Sequence, residues 1–315
     1  AGRQIPFSVI TAGFNVIGWY WFVWAYRQET RGAARNYPLQ LWDGALVFLV
    51  FASLGAWMLA VVTRLELQDP FWSLAGTHIF LDTFSYGWFI LGVLGAAYVP
   101  RPQLAGNQVA RWSINLVVIG MPVVFLLGMP LHVVPPIVRW LGTLGAMLVA
   151  IGLLGHVWVL WKPTANSQKP TINDQQSIVN GQLKTEHGTL NTENWEKWRL
   201  PLAFLSLTAV TLAALGAPAV ARWAAVSGVR VLHLHWMLLG FVTLGLVTGA
   251  QEKWVRTAVA GWRWMAMTIV ILIVSLIPLT TLWPVPLRGE WTRYFAAVAA
   301  LGPAIAAVVM MIKSK

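Results

Sequence analysis

Val229–Gly249 reads VRVLHLHWMLLGFVTLGLVTG, an apolar run about one bilayer long with His233 and His235 near its start. Ionisable side chains are expensive in hydrocarbon and rarely sit there without a partner or ligand. Imidazole is also a common protein ligand for haem iron and copper. Residues two apart on a helix point about 200° from each other, so one helix can offer a histidine to each of two neighbouring sites. The same pattern also arises without a ligand, when one histidine is interfacial and the other bonds a backbone carbonyl.

The rest of the chain is of the same kind. Of 315 residues 57% are hydrophobic and 10% charged, where a soluble domain has about 25% charged residues. The expectation is an all-α, polytopic transmembrane helix bundle of about nine spans. By length and apolarity these are Ile5–Tyr26, Leu39–Thr63, Pro70–Val99, Trp112–Met129, Pro135–Trp161, Leu200–Ala221, Val229–Gly249, Ala258–Trp283 and Trp291–Ile312. Residues 1–161 form a five-span bundle, 162–199 a polar loop rich in Asn, Gln, Thr and Ser, and 200–315 a four-span bundle. There is no cysteine, which excludes disulfides, cysteine-ligated iron–sulfur clusters, covalently attached haem and thiolate copper sites. The net charge of +11 sits between apolar runs, so the positive-inside rule explains it better than nucleic-acid binding does.

Counting by side, 15 of the 22 Lys and Arg residues fall with the long loop and the C-terminus and 7 on the opposite side. The N-terminus is therefore expected outside a bacterial or archaeal cytoplasmic-type membrane, and the loop and C-terminus in the cytoplasm. The third and seventh spans both enter from the outer side. His78 then lies roughly 12 Å in, and His233 and His235 roughly 8–10 Å in, at helical rise. His132 sits in the short outer loop. Four of the six histidines thus share the outer region, while His156 and His187 do not.

A weak repeat pairs the same two spans, four helices apart. Tyr86-Gly87-Trp88-Phe89-Ile90-Leu91-Gly92 is similar to Leu239-Gly240-Phe241-Val242-Thr243-Leu244-Gly245. Together, Leu232-His233-Leu234-His235-Trp236 and the stretch from Gly76-Thr77-His78 to Val99-Pro100 resemble the catalytic subunit of the haem–copper oxidase superfamily, which includes nitric oxide reductases. The resemblance implies four-helix repeats and a low-spin haem b held by His78 and His235, with His233 facing a second, active-site haem. It also implies electrons arriving from quinol or a membrane-bound cytochrome donor and passing to O2, NO or a partner centre. A copper site there needs about three imidazoles. The family's His-Pro-Glu-Val-Tyr string and adjacent histidine pair are missing, and His132 is the one spare outer ligand.

Asp82, one turn after His78, is the one carboxylate deep in a span and the candidate catalytic group. It reads as a partner fixing the His78 ring, as a proton-path group, or as a protonated Asp bonded to Thr or Tyr86. Asp43 reads as a helix cap or first-turn residue, and His156 as interfacial. Glycine pairs such as Gly240 with Gly245 read as helix packing. The leading expectation is a haem-binding redox protein. The rivals are a non-redox subunit packed among other membrane subunits of a respiratory complex, and a transporter with Asp82 as its proton-linked carboxylate. Membrane lipid is a partner under all three.

Overall fold

Short polar side chains and prolines set the starts of three long helices. Asn36 Oδ1 accepts from Leu39 N, Asp69 from Phe71 N and Asn107 from Val109 N, each satisfying an otherwise orphan amide at a helix start. Pro70 follows Asp69 at the first helical position, where its missing N–H costs nothing. The computed structural model describes residues 7–130, 132–161, 192–254, 259–287 and 289–313, and among these there is no strand.

The helices are α1 (Phe7–Glu29), α2 (Tyr37–Leu65), α3 (Pro70–Tyr98), α4 (Gln108–Gly128), α5 (Pro136–Trp161), α6 (Thr192–Leu215), α7 (Pro218–Ser227), α8 (Val229–Ala250, running on to Trp254), α9 (Val259–Leu276) and α10 (Glu290–Lys313). Eight of them, all but α1 and the short α7, are long and apolar enough to cross a membrane. At 23 residues α1 is also of crossing length. The protein is an all-α, polytopic integral membrane protein. Apolar side chains such as Ile119, Ile137, Leu144, Ile151, Val298 and Leu301 point outward, as lipid contact requires.

Two sequence expectations change. The polar segment 162–199 is not all loop, because α6 already begins at Thr192. Residues 162–191, with His187, lie outside the described residues. The expected Leu200–Ala221 span is instead α6 plus a separate α7, because Gly216-Ala217-Pro218 breaks the helix. The five-helix and four-helix portions also share one core. A single apolar cluster joins Leu41, Leu94 and Val149 to Leu205, Phe241 and Ile269. In lipid such contacts act through close packing rather than through exclusion of water.

The weak sequence repeat corresponds to a structural one. α3 turns π-helical over Thr83–Phe89, and α8 does so over Trp236–Thr243. Each π segment carries one glycine against an aromatic ring of the neighbouring helix. A Cβ on Gly87 would stand 2.5 Å from Phe48 of α2, and one on Gly240 would stand 2.3 Å from Phe204 of α6. Beyond the π segments α3 and α8 touch directly, where a Cβ on Gly245 would meet Val93 at 2.4 Å. The packing role expected of Gly240 and Gly245 is met in this way. Towards their first residues the two helices leave room between them.

Candidate functional site

That room is a cavity of about 260 Å³ lined by both helices and closed by α4, α6 and α7. Its polar wall is His78, Asp82 and Tyr86 from α3, and Arg230 and His233 from α8; leucines, alanines and Val124 complete it. Gly228, with φ +73°, makes the tight α7–α8 corner that puts Arg230 in the first turn of α8. His233, three residues on, shares that face of the helix.

The first polar group is charged. His78 and Asp82 are 9% and 7% exposed, deep burial for ionisable groups. Arg230 Nη2 lies 3.0 Å from His78 Nδ1 and 3.7 Å from Asp82 Oδ1, while Asp82 Oδ2 lies 3.5 Å from the same His78 Nδ1. One nitrogen therefore faces two partners with opposite demands. A guanidinium only donates, so Nδ1 must be unprotonated to accept from Arg230. A carboxylate only accepts, so Nδ1 must carry a proton to bond Asp82. The His78 ring is set in place by Gly128, where a Cβ would come within 2.1 Å of Nδ1.

The second group is neutral and has one consistent direction. Thr211 donates its hydroxyl hydrogen to Leu207 O, so its oxygen accepts from His233 Nδ1 at 3.0 Å. His233 Nε2 is then the acceptor for the hydroxyl of Tyr86. The chain Tyr86–His233–Thr211 uses both ring nitrogens and fixes the tautomer.

The structure thus brings His78, Asp82 and His233 together around one cavity. It does not bring in the other two candidates. His235 bonds its Nδ1 to Val231 O on its own helix, at 2.8 Å, and does not line the cavity. Arg230 faces His78, and His235, five residues on, lies about 140° further round the helix. His132 is exposed in the turn before α5 and does not line the cavity either. Among the described residues no three His, Asp or Glu side chains are grouped as a metal site would need. The residues suit one axial haem ligand but not two. His78 has Nδ1 engaged and no partner at Nε2 among the described residues, as a ligating imidazole requires. His233 has no free nitrogen, and His235 faces elsewhere.

Two further readings are corrected. His156 is not interfacial: it is fully buried, with Nδ1 3.1 Å from the Tyr98 hydroxyl, the Tyr37 ring nearby and no partner for Nε2 among the described residues. Asp43 does not cap α2, a role filled by Asn36; it pairs with Arg35 at 3.5 Å. Sequence reading passed over Arg230 and Thr211. Arg230 had a usable signal, being one helical turn before His233, whereas Thr211 had none.

No family model, curated protein or solved structure matches this chain.

Proposed function

We propose that the protein is a proton-linked membrane transporter whose proton site is His78 with Asp82, and whose moving charge is Arg230. The observation that supports this is the single His78 nitrogen shared between a donor and an acceptor. With Nδ1 unprotonated, Arg230 donates to it and also neighbours Asp82. When a proton binds Nδ1, the imidazolium donates to Asp82 and repels Arg230. His78 and Asp82 are buried, but the Arg230 side chain is 37% exposed, so it is the member free to turn away. Released from His78, its guanidinium offers positive charge to the cavity. Apolar walls around one cation suit a small organic anion. Two helices distorted at matching positions beside such a site suit a protein that alternates between packings.

The test uses proteoliposomes with a trapped pH indicator and small impermeant alkyl sulfonates or phosphonates outside. Wild type acidifies the lumen in step with anion entry, whereas Asp82→Asn and His78→Ala do not. If wild type shows no anion-dependent proton entry, the transporter reading falls.

A second reading keeps the haem expectation in reduced form, with a haem b carried on His78. The free Nε2 opposite a fixed Nδ1 favours it. A Soret band in purified wild type that disappears in His78→Ala would put this reading first. Under both readings we place the His78 end of the bundle outside, from the distribution of Lys and Arg.

A further inference from the structure

At the same end of the bundle, outside the cavity lining, a second arginine has no counter-charge among the described residues. Arg139, in the first turns of α5, is 6% exposed. Its Nε is buried without a hydrogen-bond partner, and its guanidinium makes no bond or ion pair with any described residue. Thr143, one turn after Arg139, donates to Gly216 O just before α7 at 2.8 Å, which brings Arg222 of α7, a group of the same sign, to this side of α5. Both arginines sit in helices whose positive N-terminal ends lie at this face. The carboxylates of this end are engaged elsewhere: Asp69 caps α3, Asp82 serves His78 and Arg230, Glu290 pairs with Arg293, and Glu66, in the α2–α3 corner, has a partner other than Arg139. A buried cation beside a like charge is costly unless an anion joins it.

We propose that Arg139 and Arg222 together bind a phosphate-type oxyanion. The guanidinium fork matches the geometry of such a group, and two forks from different helices can grip different oxygens. The anion would tie α5 to α7 and cancel the buried charge. Neither arginine lines the cavity, so this site stands independently of the transport reading. The same chemistry can come from free phosphate or from the phosphodiester of an anionic lipid.

The experiment measures thermal unfolding of the full chain in detergent with inorganic phosphate, against chloride at matched ionic strength, and in nanodiscs of phosphatidylglycerol against phosphatidylcholine. A ligand of the folded state raises Tm with its concentration. The expected result is a rise in wild type that is lost in Arg139→Gln and in Arg222→Gln. A rise with inorganic phosphate identifies a free-anion site, and a rise with phosphatidylglycerol alone identifies a lipid site. Arg222 is exposed, so Arg222→Gln folds and decides the matter even if Arg139→Gln does not. Equal Tm responses in wild type and Arg222→Gln, or no response in wild type, overturn the proposal.

Discussion

Arg230 Nη2 lies 3.0 Å from His78 Nδ1, joining two side chains 152 residues apart in the chain. The contact pins the first turn of α8 to the third turn of α3, before both helices enter their π segments. Ion pairing, helix distortion and the cavity are therefore features of one place.

Asp82→Asn keeps an acceptor oxygen but removes the negative charge that favours the protonated His78 and faces Arg230. The unfolding free energy should fall by about 1–3 kcal/mol, the low side for a buried pair because Arg230 can still reach water. Proton-linked anion entry should be lost while the helical circular dichroism is kept. Retained coupling in a folded Asp82→Asn protein would remove Asp82 from the proton site.

Tyr86→Phe and Thr211→Val each leave one His233 nitrogen without its partner. Each should cost about 1–3 kcal/mol, as expected for a buried polar group left unsatisfied. Because the two act through one ring, the double mutant should deviate from additivity by at least about 0.5 kcal/mol. Additive losses in chemical denaturation would mean that the Tyr86–His233–Thr211 chain does not act as a unit.

Gly87→Ala and Gly240→Ala place a methyl group against the inner atoms of Phe48 and Phe204, which cannot swing aside. Each should destabilise by about 1–3 kcal/mol, as overpacking does. Truncating the facing ring, as in Gly87→Ala with Phe48→Leu, should recover part of the loss. An unchanged Tm in both single variants would show that the π segments do not depend on these contacts.

Cysteine introduced at Ser167, in a chain without other cysteines, reports which side the 162–191 segment occupies. The expected result is no labelling of intact cells by a membrane-impermeant thiol reagent, and labelling after permeabilisation. Labelling of intact cells would reverse the orientation and place the His78 cavity on the cytoplasmic side.

That His78 and His233 come to the same level of the bundle was legible in the sequence, because it needs only a helix start and a rise per residue. Their partners were not. Burial of His156 depends on Tyr37 and Tyr98 arriving from two other helices, and no count along α5 contains that. His235 was expected to face His78 of α3, yet helix rotation turns His233 towards α3 and sends His235 away.

The class of fold, the places of most long apolar helices and the repeat between α3 and α8 could be read from the residues alone, because chain length, hydrophobicity and glycine spacing are local properties. The tertiary structure alone decided which ionisable groups meet. Helix rotation and packing are fixed by contacts between distant segments, so only the assembled bundle puts Arg230 on His78, Tyr86 on His233, and leaves Arg139 without a counter-charge among the described residues.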